Sequence, residues 1–178
     1  MIENLIAFEN GGKIDVYQMV DRAASDFEKI YTCCEYFAKQ GARTIIAPRF
    51  DYVIGNPVYE CIYASLKGTP YWGKCPDFSV NGVWYEHEGF DEEKDLSTPQ
   101  KRADTFSLMI RRGIKQSDRL VVEDSGFGRS YARRTIFNRV YLENQDIKEV
   151  FVRTPKGLEL IYKKESGLTL ASPLSPNP

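Results

Sequence analysis

Three carboxylates that could take part in acid-base or metal chemistry lie close together on either side of a sharp turn signal. They are Asp77, Glu86 and Glu88, and an Asn81-Gly82 pair stands between the first and the second. Asn-Gly is typical of a two-residue type I′ turn, because both central residues need positive φ. The sequence therefore predicts a β-hairpin, whose strand pairing decides which of these side chains meet.

With that turn, the predicted hairpin separates its side chains into two faces. The apolar face carries Phe78, Val80, Val83 and Tyr85. The other face carries Asp77, Ser79, Trp84, Glu86 and Glu88. Opposed carboxylates destabilise a strand pair unless a cation neutralises them, so this face calls for a metal ion, a cluster of arginines and lysines, or raised pKa values. The alternative is a solvated acidic face that continues into residues 91–93.

His87 lies between the two glutamates and is the one histidine of the chain. Its unperturbed pKa of about 6.5 would suit a general base. However, strand alternation places it on the apolar face beside Tyr85, which favours a structural histidine over a catalytic one.

The composition indicates one ordinary globular domain. The chain has 178 residues, 42% of them apolar, and a net charge of −1, so affinity for nucleic acid must come from a local patch. No apolar run approaches the roughly 18 residues of a membrane span, and Met1 opens no signal-peptide pattern, so the expected location is the cytoplasm. The four cysteines form no Cys-x-x-Cys pair and predict neither a zinc site nor disulfides.

The predicted elements before the hairpin begin with another hairpin, formed by residues 5–8 and 14–17 around an Asn-Gly-Gly turn. An amphipathic helix from 19 to 40 follows, and then a buried strand at 44–47. Residues 49–75 are predicted to be irregular. Their aromatic-rich loop at 69–73, flanked by Lys67 and Lys74, is interpreted either as a groove for unstacked bases or as cover for the core.

The predicted elements after the hairpin include two further helices. Thr98 and Pro99 are typical of a helix start, and the apolar stripe continues to Gly113. A strand at 120–122, a helix from 129 to 142 and a hairpin of 147–154 with 158–164 complete a single α+β domain spanning residues 1–164. Residues 165–178 are predicted to be a disordered tail.

The chain from Lys101 to Arg139 is strongly basic, with ten lysines and arginines against four acidic residues. Arginine suits bidentate phosphate contacts. We therefore expect either a nucleic-acid surface or internal neutralisation of the acidic hairpin face. The predicted nucleic-acid-binding residues are Lys74, Arg111, Arg112, Gln116, Arg129 and Arg133.

Several segments, taken in order, resemble the C-terminal tRNase domain of contact-dependent growth inhibition (CdiA-type) toxins and related stand-alone proteins of bacterial mobile elements. The segments are Phe37-Ala38-Lys39-Gln40-Gly41, Ile46-Ala47-Pro48, the hairpin with Pro76-Asp77-Phe78, Asn81-Gly82 and Tyr85-Glu86, and Ile114 to Val122. The resemblance implies a barnase-EndoU-RelE-like α+β nuclease fold, with helices packed on an antiparallel sheet. It also implies RNA cleavage without an obligatory metal, and an immunity protein as a partner.

The resemblance carries Asp77 and Glu86 over as catalytic residues, and the segment from Lys115 to Arg119 as the polar and cationic part. Glu88 departs from it, since the family commonly has a lysine there. Asp followed by Glu-x-Lys is also the pattern of metal-dependent PD-(D/E)xK nucleases, so the missing lysine weakens both interpretations and leaves an inactive or repurposed relative open.

The sequence hypothesis is therefore an RNA-cleaving, tRNase-like nuclease with the catalytic set Asp77, Glu86, Glu88, Lys115 and Arg119. It has no obligatory cofactor, although the three carboxylates could take a divalent cation. RNA is favoured over DNA as the partner. The alternatives are a non-catalytic module of a mobile element that binds nucleic acid or protein, and a metal-dependent DNase.

Overall fold

The computed structural model describes residues 1–164, so the predicted tail lies outside the described residues. Its eight strands form one sheet in sequence order. The strands are β1 (Ile2–Ala7), β2 (Lys13–Tyr17), β3 (Arg43–Ile46), β4 (Phe78–Val80), β5 (Val83–Glu88), β6 (Arg119–Glu123), β7 (Glu149–Thr154) and β8 (Gly157–Lys163). The helices are α1 (Phe27–Ala38), α2 (Pro57–Ile62), α3 (Pro99–Gly113) and α4 (Arg129–Phe137). No helix within residues 1–164 is long and apolar enough to cross a membrane.

The sheet is mixed and mostly antiparallel. Four neighbouring pairs are antiparallel, and three pairs, β2 with β3, β5 with β6 and β6 with β7, are parallel. Each parallel pair is joined through a helix, because a parallel connection must cross from one end of the sheet to the other. The predicted α+β class is confirmed at this level. The expected antiparallel sheet is found in its four antiparallel pairs, whereas three pairs are parallel and are joined through helices.

Helices cover both faces of the sheet, because side chains on one strand alternate between two apolar layers. Val121 and Phe151 pack on the α1 side, whereas Leu120 and Val122 pack on the side of α3 and α4. A third buried cluster forms around the aromatic side chains of α2 and its neighbours, next to the first half of the sheet. The carboxylate face of β5 therefore lies on the α3 side.

The central hairpin has the predicted register. Val80 pairs with Val83, Ser79 with Trp84, and Phe78 with Tyr85. The turn residues Asn81 and Gly82 have φ values of 49° and 80°, as a type I′ turn requires. This register places Asp77, one residue before β4, next to Glu86 on β5.

Three predicted elements differ from the structure. The helix predicted for residues 129–142 is α-helical as far as Phe137 and continues as a π-helix over Asn138–Leu142. The first predicted helix begins at Phe27 rather than at residue 19, since Asp21 accepts a hydrogen bond from the N–H of Ala23 at 2.9 Å and forms a local turn, an alternative to helix that Asp side chains favour. The region predicted to be irregular contains α2, which the side chain of Asn56 caps through the N–H groups of Val58 and Tyr59.

Candidate functional site

An open cleft of about 630 Å³ lies at the carboxyl end of β5. Its walls come from the start of α1, the segment after β3, one face of α3 and the acidic loop after β5. Glu86 and Glu88 line it together with Arg49 and Arg112. The cleft therefore combines carboxylates of the hairpin with two arginines from separate elements.

Asp77 lies buried beside this cleft, with 2% of its surface exposed. Its Oδ1 accepts hydrogen bonds from Nε and Nη2 of Arg49 at 3.1 and 2.7 Å, and its Oδ2 accepts one from the backbone N–H of His87 at 2.9 Å. Arg49 also contacts Asp26 at the start of α1, at 2.8 Å. Both oxygens of Asp77 are thus held by donors.

Glu86 is the neighbouring carboxyl and is 7% exposed. Its Oε2 is buried without a hydrogen-bond partner among residues 1–164. Burial, with the adjacent charges of Asp77 and Glu88, raises the pKa of Glu86 well above its ordinary value. Burial also raises the pKa of Asp77, but Arg49 and the N–H of His87 oppose that rise. Glu86 is therefore the carboxyl of the pair that favours the protonated form.

Glu88 forms the third carboxylate and is bound to Arg112. Nε and Nη2 of Arg112 reach Oε2 of Glu88 at 2.9 and 2.8 Å, and Nη2 also donates to the carbonyl of Gly89 at 2.7 Å. Burial raises the pKa of Glu88 although Arg112 opposes the rise. Both contacts are to Oε2, so Arg112 leaves the other carboxylate oxygen of Glu88 unbound at the wall of the cleft.

His87 points to the opposite face of the sheet, as strand alternation predicts. Its Nε2 lies 2.8 Å from Oε1 of Glu123, and Glu123 accepts two bonds of 3.0 Å from Nη1 of Arg153. Nε of Arg153 in turn donates to Thr32 on α1 at 2.9 Å. Burial alone would raise the pKa of Glu123, but His87 and Arg153 outweigh it and the pKa is lowered. The ring nitrogen Nε2 of His87 is thus directed to Glu123, although the residue itself forms part of the cleft wall.

Lys115 and Arg119, both predicted to be catalytic, are not brought to the cleft. Arg119 directly precedes Leu120, the partner of Glu86 in the sheet, so its side chain lies on the opposite face. There it contacts Asp118 at 2.8 Å. Lys115 is exposed in the turn after α3. The structure therefore gathers Asp77, Glu86 and Glu88 but leaves the two predicted cations elsewhere.

Of the predicted nucleic-acid-binding residues, Arg112 alone lines the cleft within the described chain. Arg129 is ion-paired with Glu159 at 2.8 Å and Asp124 at 3.4 Å. The other four lie outside the cleft, namely Lys74 before the hairpin, Arg111 on α3, Gln116 after α3 and Arg133 on α4. The basic segment is thus distributed over several surfaces, and one of its arginines neutralises the hairpin face.

Arg49 is the candidate-site residue that the sequence analysis missed. It follows Pro48 at the end of β3, and β3 is antiparallel to β4, so the end of one strand lies beside the start of the other. This geometry brings Arg49 to Asp77 although 28 positions separate them. The available signal was a cation placed directly after a buried strand that precedes the hairpin.

Two of the three hairpin carboxylates are ion-paired with arginines. No group of three His, Cys, Asp or Glu side chains that could hold a metal ion occurs in the described part of the chain. Arg49 and Arg112 contact Asp77 and Glu88 directly, so guanidinium groups supply the positive charge that the hairpin face requires.

A comparison with protein-family models, with curated proteins and with solved structures finds no match for the chain.

Proposed function

We propose that the chain is a nucleic-acid phosphodiesterase that cleaves RNA, as the resemblance to CdiA-type tRNase domains implies. The observation that carries this proposal is the buried Asp77–Glu86 carboxyl pair beside an open cleft that Glu86 and two arginines line. Raised carboxyl pKa values in a cleft are typical of acid-base sites. The proposed catalytic set is therefore Glu86, Glu88, Arg49 and Arg112, with Asp77 holding Arg49 in place.

The proposed reaction is attack of a ribose 2′-hydroxyl on the adjacent phosphate. Glu88 accepts the hydroxyl proton while the 2′-oxygen bonds to phosphorus, and the bond to the 5′-oxygen breaks as Glu86 donates its proton to that leaving group. Arg49 and Arg112 stabilise the charge that develops on the phosphorane. The products are a 2′,3′-cyclic phosphate and a 5′-hydroxyl end, and exchange with solvent then removes the proton from Glu88 and returns one to Glu86.

The raised pKa values suit these roles. A general acid must carry its proton near the working pH, and the burial of Glu86 favours that form. A general base gains strength when its pKa rises, as it does at Glu88. Arg49 is suited to phosphate contact because 60% of its side chain is exposed while Asp26 and Asp77 fix its position.

The test is an incubation of the purified chain with tRNA, single-stranded RNA and double-stranded DNA, each with and without EDTA. We expect chelator-insensitive RNA cleavage that leaves 2′,3′-cyclic phosphate ends. Glu86→Gln should reduce the rate about 10²- to 10⁴-fold, the usual contribution of a general acid. Glu9→Gln, which changes an exposed glutamate in the first hairpin turn, is the matched control and should keep full activity.

A metal-dependent DNase is a second candidate, and the unpartnered Oε2 of Glu86 is the observation that favours it. Chelator-sensitive cleavage of DNA would select this candidate and contradict the metal-free mechanism. Absence of cleavage of every substrate by the wild-type chain would contradict both enzymes and favour a non-catalytic binding module.

A further inference from the structure

Three exposed apolar side chains lie on the loops between β3 and β4, and two of them, Tyr52 and Ile54, follow shortly after Arg49. Tyr52 is 67% exposed, Ile54 is 76% exposed and Trp72 is 36% exposed. We name the two aromatic residues, Tyr52 and Trp72, the aromatic platform. The proposed reaction does not use these three side chains, and between about a third and three quarters of each residue remains exposed.

The loops that carry the platform are fixed to each other rather than loose. The hydroxyl of Tyr59 accepts a hydrogen bond from the N–H of Gly73 at 2.7 Å and donates to the carbonyl of Lys74 at 2.9 Å. The ring of Tyr59 lies 5.9 Å from that of Phe50 and 5.2 Å from that of Trp72. Tyr59 therefore links the loop after Arg49 to the loop before the hairpin.

One residue of the platform lies close to Arg49 along the chain. Tyr52 follows Arg49 by three residues, so their Cα atoms are at most about 11 Å apart. Lys67 is exposed and Lys74 is partly exposed beside Trp72, so cations flank the aromatic side chains. Flat apolar side chains next to cations match the bases and phosphates of a single strand.

We propose that the aromatic platform binds unpaired nucleotides next to the scissile phosphate, with bases stacked on Tyr52 and Trp72. This inference rests on the proposed function for the placement of the phosphate at Arg49. It makes single-stranded segments the substrate class, because bases in a duplex are already stacked on each other and cannot reach side-chain rings.

Binding in the Glu86→Gln background tests the platform without interference from cleavage. The probe is a fluorescein-labelled single-stranded oligoribonucleotide of about 12 nucleotides, followed by fluorescence anisotropy. We expect Tyr52→Ala and Trp72→Ala each to weaken binding roughly 5- to 150-fold, the range for loss of one stacked base. Tyr52→Phe keeps the ring and should bind within about twofold of the parent.

The matched control is Phe137→Ala, because Phe137 is 52% exposed at the end of α4 and has no place in the platform. It should leave binding unchanged. Binding of Tyr52→Ala and Trp72→Ala within twofold of the parent would overturn the inference, as would an equal loss in Phe137→Ala. Loss of binding in the platform variants without any cleavage by the wild type would support the platform and contradict the nuclease. Cleavage by the wild type, together with unchanged binding by the platform variants, would support the nuclease and contradict the platform.

Discussion

Replacing Glu86 by glutamine should make the protein more stable at neutral pH and change how its stability depends on pH. Glutamine has nearly the same shape but carries no charge at any pH. In the wild type, raising the pH forces a charge onto a carboxyl that is 7% exposed and has one oxygen without a partner among the described residues. Burying such a charge is unfavourable.

The sign follows from the raised pKa of Glu86 in the folded chain. Because the pKa of Glu86 is higher in the folded chain than in the unfolded chain, the protonated carboxyl stabilises the folded chain. This stability is fully present below the pKa of the unfolded chain, about 4.3, and is lost as the pH rises through the pKa of the folded chain. The free energy of unfolding of Glu86→Gln should therefore exceed that of the wild type by a margin that increases as the pH rises. The margin grows by about 1.4 kcal/mol per pH unit above the unfolded value and becomes constant beyond the folded pKa.

Urea unfolding followed by tryptophan fluorescence measures this margin between about pH 5 and pH 8. Trp84 is a suitable probe because its ring lies 4.7 Å from that of the buried Tyr63. Glu9→Gln should track the wild type at every pH. A margin that stays constant with pH, or that shrinks as the pH rises, would refute the interpretation that Glu86 is buried and protonated in the folded chain.

Two other substitutions test the packing around the site. Arg49→Met should cost about 1–3 kcal/mol in urea unfolding, since it leaves buried Asp77 without its counter-charge while water partly replaces the exposed guanidinium. Arg22→Met, which removes an exposed ion pair, should cost below about 1 kcal/mol, and equal losses would contradict the special role of Arg49. Gly12→Ala should lower stability by about 2–4 kcal/mol in thermal unfolding, because a Cβ there would lie 1.9 Å from the last carbonyl of α1. Gly11→Ala meets no atom within 4 Å, and with φ at +86° it should cost only about 1 kcal/mol; a larger loss than in Gly12→Ala would contradict the contact.

The hairpin was predictable because its signals are local. The two turn residues with positive φ fix the register of the hairpin, and the alternation of side chains along each strand fixes its two faces. The proximity of Asp77, Glu86 and Glu88 therefore follows from adjacent residues alone. The alternation rule also placed His87 correctly on the opposite face, although its partner Glu123 comes from a later strand. Local pattern thus determined the carboxylate half of the site.

The cationic half was not predictable in the same way. Arg49 reaches Asp77 only because β3 and β4 pair across a long intervening segment, and no local periodicity records that pairing. Lys115 and Arg119 were assigned by their position in a motif, whereas the face of β6 decides where Arg119 points. Applying the alternation rule from buried Leu120 would have placed Arg119 away from Glu86.

The hydrogen bonds of Asp77 tie it to a single helix by two routes. One oxygen is linked to the start of α1 through Arg49 and Asp26. The other is linked to Thr32, further along α1, through the backbone and ring of His87 and the ion pair beyond it. A small shift or rotation of α1 must therefore pull on both sides of the same carboxylate. Mutations on the far surface of this helix can thus change the position of Asp77 without touching it.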